Sequence, residues 1–124
     1  MFIAIDFDGT CVTHEYPRIG KDIGAVPILK RLVEKGHKLI LHTMRSGPTE
    51  EAARKWFELN EIPLYAINNN PTQFRWTQSR KVYANLYIDD AALGAPLTYN
   101  QDLSEKPYID WGQVEIQLSK QGLI

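Results

Sequence analysis

Asp6 and Asp8 stand two residues apart at the end of an apolar run, Met1-Phe2-Ile3-Ala4-Ile5, and Gly9-Thr10 follow them. In an extended chain, residues i and i+2 point to the same side. The two carboxylates therefore share a face where a buried strand runs out. Such a pair can bind a divalent cation, and one member can attack an electrophile while the other handles protons. Two more sets of polar groups close apolar runs: Thr43 after Leu39-Ile40-Leu41-His42, and Asp89-Asp90 after Leu86-Tyr87-Ile88.

A phosphate monoester is a reactant this set can handle. Its dianion repels carboxylates, and a hard cation held by oxygen ligands offsets the repulsion, which points to Mg²⁺. Asp6, Asp89 and Asp90 are the candidate side-chain ligands, and Asp8 can add its backbone carbonyl. Asp6 then attacks phosphorus to form an aspartyl-phosphate. Asp8 protonates the leaving oxygen and later takes a proton from water. Thr43 donates to a phosphoryl oxygen, and Lys81 supplies positive charge. Backbone N–H groups around Phe7 to Gly9 add further donors.

These residues need a scaffold that brings distant strand ends together. Residues 2–7 read as a central strand buried on both faces. Residues 25–35 read as a helix, with Pro27 in its first turn, Ile28, Leu29, Leu32 and Val33 at helical spacing, and Gly36 after it. Residues 37–43 form a second strand. Thr49 is expected to cap a helix through Asn60. Residues 64–67 and 85–89 are the third and fourth strands. Residues 68–80 and 94–107 read as loops, the former with room for one helical turn. Asp110 is expected to cap a last helix through about Lys120. Strands alternating with helices predict an α/β fold with a central parallel sheet, and ligands of such sheets bind at the carboxyl ends of the strands.

With 124 residues the chain has material for one domain, taken as 1–124, with one core. It is 44% hydrophobic and 23% charged, and its formal net charge of -1 gives no global case for nucleic acid or an acidic membrane surface. One cysteine, Cys11, excludes an intrachain disulfide and fits a reducing compartment. No apolar stretch approaches the roughly 18 residues of a membrane span, and the N-terminus lacks the pattern of a signal peptide, so a cytoplasmic location is expected.

The ordered set Asp6-Phe7-Asp8-Gly9-Thr10, Leu39 to Thr43, Lys81 and Ile88-Asp89-Asp90 resembles the haloacid dehalogenase-like superfamily of phosphohydrolases. The resemblance covers most of the chain. It implies a three-layer Rossmann-like fold, Asp6 as nucleophile, Asp8 as general acid/base, Thr43 and Lys81 as phosphate contacts, and Asp89 and Asp90 as the remaining magnesium ligands. Arg80 adjoins Lys81, and the choice between them stays open. Many relatives carry an inserted cap. The short stretches after Thr10 and between Ile67 and Lys81 predict a member without a large one, whose open site could accept larger phosphorylated molecules or close by oligomerisation; the substrate expected is a small phosphate monoester.

Other residues carry weaker signals. Arg45 is placed to touch substrate or to pair with Glu50 or another acid. Cys11 reads as a buried small hydrophobe. His14, His37 and His42 lack metal-ligand spacing, and His42 is expected to pack on the side away from Thr43. Phe74, Arg75, Trp76 and Arg80 invite a nucleic-acid reading, but a loop folding its aromatics inward is preferred; if exposed, they and Tyr16 become candidates for substrate contact. The rival functions are a phosphotransferase, a non-catalytic binding domain and a signalling receiver. The receiver is disfavoured because its acidic pair precedes the phosphoacceptor, whereas this chain ends its series with Asp89-Asp90. Oligomeric state is not legible.

Overall fold

A computed structural model describes Met1 to Ile124. Four parallel strands form the central sheet: β1 (Phe2–Ile5), β2 (Lys38–Leu41), β3 (Ala66–Ile67) and β4 (Leu86–Ile88), in the order β3-β2-β1-β4. Three helices accompany them: α1 (Ala25–Glu34), α2 (Gly47–Leu59) and α3 (Trp111–Lys120). The protein is an α/β fold of the Rossmann-like kind. Registers run Ile3↔Leu39 and Ile5↔Leu41 on one side of β1, and Ile3↔Leu86 and Ile5↔Ile88 on the other.

This strand order decides where a ligand fits. The chain moves outward from β1 to β2 to β3, then returns to place β4 on the opposite side of β1. The reversal makes a crevice between the carboxyl ends of β1 and β4, the usual ligand site of open α/β sheets. Asp6 leaves β1 there, its N–H donating to the Ile88 carbonyl at 3.0 Å, and Asp89-Asp90 leave β4.

The apolar runs form strands because both faces are covered. Ile3, Ile5, Leu39, Ile40 and Leu41 have no exposed surface. Ile28, Leu29 and Leu32 of α1, Phe57 of α2, and Val114 and Leu118 of α3 complete one core.

Several boundaries differ from expectation. Helix α2 starts at Gly47, not at a Thr49 cap. Ser46 occupies the cap position, and the Thr49 hydroxyl folds back to donate to its carbonyl (2.8 Å) and accept from its N–H (3.3 Å). Asp110 does cap α3, its carboxylate accepting from the Gln113 N–H at 3.2 Å. The helical turn within 68–80 is a 3₁₀ turn, Pro71–Arg75. Residues 94–107 are not all loop. Strand β5 (Leu97–Thr98) pairs antiparallel with β6 (Tyr108–Ile109). No helix is long and apolar enough to cross a membrane.

Candidate active site at the strand ends

The loop after β1 is wound around one carbonyl. The N–H groups of Thr10, Cys11 and Val12 all point to the Phe7 oxygen, at 3.1, 2.8 and 3.4 Å. Gly9 has φ +79°, and a Cβ there would lie 2.0 Å from His14 Nε2 and 2.5 Å from Asp90 Oδ2. Only glycine meets both demands. From outside, Ile109 N–H donates to the Gly9 carbonyl (2.9 Å) and the Trp111 indole N–H to the Thr10 carbonyl (2.7 Å).

This loop and the end of β4 bring three carboxylates together. Oxygens of Asp6, Asp89 and Asp90 lie within 4.8 Å of one another. The Thr10 hydroxyl donates to Asp6 Oδ2 at 2.9 Å, lies 3.2 Å from Asp90 Oδ1, and accepts from the Asp90 N–H at 3.1 Å. His14 Nε2 donates to Asp90 Oδ2 at 2.9 Å. Asp90 is thus held on both oxygens. Asp89 uses one oxygen on the Ala91 N–H and keeps the other free. Burial, then the hydrogen-bonded Asp90 carboxyl and the charge of Asp89, push the Asp6 carboxyl up to about 8. The Thr10 hydroxyl and the Phe7 backbone N–H oppose this without cancelling it.

Three mutually repelling carboxylates fit a cation that neutralises them. The donor set is all oxygen, which suits a hard divalent ion such as Mg²⁺. The Asp8 carboxylate is not part of the cluster. Both of its oxygens are taken by Arg45, from Nε (2.8 Å) and Nη2 (2.8 Å). Its backbone carbonyl accepts no hydrogen bond from the protein and remains the ligand atom Asp8 can offer.

Arg45 is itself buried, with 3% of its surface exposed. Its remaining N–H groups donate to the carbonyls of Pro17, Thr49 and Arg18, at 3.1, 3.2 and 2.7 Å. Its guanidinium lies between the rings of Phe7 and Tyr16, 5.0 and 5.2 Å from their centroids. The two options open for Arg45 resolve to an ion pair, with Asp8 as the acid.

A cleft of about 340 Å³ opens over the cluster, lined by Asp6, His42, Thr43, Met44, Asn68, Arg80, Val82 and Asp89. Thr43 reaches it as expected. Its backbone is gripped by Asn68, whose side chain accepts from Thr43 N–H (2.8 Å) and donates to Thr43 C=O (2.9 Å). Asn68 has φ +50°, a conformation asparagine tolerates better than most residues. His42 also borders the cleft, and its ring packs beside that of Tyr87, 6.2 Å between centroids.

The structure brings Arg80, not Lys81, to this cleft. Lys81 lines a neighbouring cavity, its ammonium 5.8 Å from the centre of the Tyr87 ring. Both residues sit at bends of the chain, and the buried Gln73 fixes the backbone on either side of Arg80. Its amide donates to the carbonyls of Ser79 and Lys81, both at 3.0 Å, and accepts from the Tyr83 N–H at 2.8 Å. Gln73, Asn68, His14 and Arg45 all shape the site without forming a local motif with the residues they hold. Cys11 is fully buried, with its thiol pushed well up by burial and by Asp6 and Asp8, as befits an inert side chain.

A larger cavity, about 570 Å³, lies against the end of α2 and the β3 edge, but it contains none of the clustered carboxylates.

No protein-family model and no curated protein matches the chain. Among solved structures, a conserved protein from Bacteroides thetaiotaomicron is similar at 36% sequence identity and a TM-score of 0.78. The match covers 98% of this chain and 91% of that one.

Proposed function

The chain belongs to the same family as the conserved Bacteroides thetaiotaomicron protein, and from the cleft its fold builds we propose that it is a magnesium-dependent phosphohydrolase acting on a phosphate monoester. One observation carries this reading: Asp6, Thr43, Arg80 and Asp89, from four separate segments of the chain, line a single cleft. The motif order supports placing the family among capless members of the haloacid dehalogenase-like superfamily.

Asp6 is the nucleophile. Asp6, Asp89 and the Asp8 carbonyl are the groups that would hold the ion directly, with Asp90 bracing Asp6 through Thr10. A bound divalent ion supplies the positive charge that favours the ionised Asp6 and offsets its repulsion from the phosphoryl group. Asp6 attacks phosphorus, the ester oxygen departs, and an aspartyl-phosphate forms. Thr43 and Arg80 donate to the phosphoryl oxygens, Arg80 taking the part that sequence reasoning gave to Lys81.

Arg45 pairs with Asp8 as a carboxylate, the form that takes up a proton. This suits the second half of the reaction, where Asp8 accepts a proton from the water that cleaves the intermediate. Donation to the leaving oxygen in the first half requires the Arg45 fork to release an Asp8 oxygen. A second reading of the same residues is phosphoryl transfer to an acceptor other than water, since Asp8 would activate an alcohol as it would water.

Phosphate release from a panel of monoesters, with and without Mg²⁺, tests the reading. Metal-dependent turnover that disappears in Asp6→Asn is expected. Unchanged turnover in that variant removes Asp6 from the mechanism. Labelled phosphate that stays on the protein until an alcohol is added selects the transferase.

A further inference from the structure

The cleft over Asp6 continues past Arg80. Asn68, Arg80 and Val82 also wall a second cavity, of about 320 Å³, whose other lining includes Asn69, Phe74 and Gln78. Its polar groups divide into two sets. Asn70 and Gln73 spend their amides on the protein, holding the Tyr83, Ser79 and Lys81 backbone. The amides of Asn69 and Gln78 make no hydrogen bond to the protein, and Arg80 joins none of the ion pairs. Phe74 is 49% exposed on the 3₁₀ turn, contrary to the expectation that the loop would fold its aromatics inward. The turn beneath it is fixed, because Asn70 accepts from Thr72 N–H (3.1 Å) and hydroxyl (2.6 Å).

We propose that this second cavity is the leaving-group subsite and that it takes a planar, hydrogen-bonding heterocycle, so that the substrate is a phosphorylated nucleoside. The inference rests on the phosphate site proposed above. A free amide offers a donor and an acceptor side by side, the pattern that pairs with the edge of a base. An exposed aromatic ring offers it a face. Arg80 stands on the shared wall, where a phosphate in the first cavity and a sugar between the two would both pass it. No carboxylate lines the second cavity, so a cationic amine would find no counter-charge there. The chain's net charge of -1 gives no general hold on a nucleic-acid polymer, which favours a mononucleotide over an oligonucleotide end.

Adenosine 5′-monophosphate and ribose 5-phosphate differ by the base and serve as the test pair. We expect kcat/KM for the nucleotide to exceed that for the sugar phosphate by about 5- to 150-fold, the range of one base stacked on an aromatic side chain. Phe74→Ala should remove most of that preference while leaving ribose 5-phosphate turnover unchanged, and Gln78→Ala should reduce it. In parallel, adenosine is titrated onto the wild-type protein by NMR, which needs no turnover. Shifts of the Asn69 and Gln78 side-chain amides that vanish in Phe74→Ala support the subsite, even if no ester is hydrolysed and the phosphatase reading fails. Equal kcat/KM for both esters, or no adenosine shifts in a protein that releases phosphate, overturns the subsite and leaves the phosphatase standing. Turnover of a 5′-phosphorylated oligonucleotide with none of the mononucleotide overturns the mononucleotide assignment.

Discussion

Replacing Arg45 by methionine, which keeps much of the stem's volume, should cost the protein about 3 kcal/mol. The figure follows from the contacts. A guanidinium has five N–H donors, and in this protein all five are used: two on Asp8, and one each on the carbonyls of Arg18, Pro17 and Thr49. Breaking a buried pair from one side costs about 3–5 kcal/mol, mostly because the partner is left uncompensated. The Asp8 side chain keeps 19% exposure, so water recovers part of that cost and the lower end applies. Three carbonyls also lose a donor, each near a surface that water can reach. Urea unfolding measures the loss as a lower midpoint at unchanged slope. Arg45→Lys should fall between, since an ammonium cannot reproduce the fork. Asp8→Asn with Arg45→Met should be less destabilised than the two single changes added together, as expected for direct partners. A loss below about 0.5 kcal/mol for Arg45→Met, or strict additivity in the double variant, would refute the claim that Arg45 anchors the loop through Asp8.

Asp6 should make the metal-free protein less stable as pH rises. Its carboxyl is raised from 3.8 to about 8, so the folded protein keeps a proton that the unfolded chain has lost. This contribution is full below about pH 4, falls as pH climbs towards 8, and is gone above it, for a total on the order of a few kcal/mol. Thermal melts from pH 5 to 9 should show that slope, flattened by Asp6→Asn or by added Mg²⁺; identical slopes in variant and wild type would exclude the assignment. Gly9→Ala should destabilise by more than the ~1–2 kcal/mol of its left-handed backbone, because the new Cβ meets His14 and Asp90. Melting the Gly9→Ala/His14→Ala pair should show partial recovery, and its absence would place the clash elsewhere. Arg80→Ala should lower kcat/KM by about 10²-fold or more, the scale of losing one donor to developing charge, while Lys81→Ala changes it little. A reversed order would return the phosphate contact to Lys81.

What the sequence discloses depends on how far apart the partners lie along it. Strands β1 and β2 are legible because burial on both faces writes a continuous apolar run, and α1 because its apolar residues recur at helical spacing. The carboxylates at the ends of β1 and β4 are legible for the same reason: charge interrupts apolar runs abruptly. The β5–β6 pair is not, because two-residue strands are too short to display any period. Thr49 looks like a cap because its residue type fits, yet Ser46 competes for the position and Pro48 suits the first turn. Arg45 pairs with a residue 37 positions away, and no local pattern encodes that reach. The choice of Arg80 over Lys81 depends on a side chain, Gln73, that no motif marks.

The bond from the Trp111 indole to the Thr10 carbonyl spans 101 residues. Together with Ile109 on Gly9, it makes the last helix a fastening for the first loop. Loosening one end should therefore loosen the other: amide exchange at residues 9–12 is expected to follow that of residues 109–111, so the loop after β1 opens no more rarely than the start of the last helix lets go.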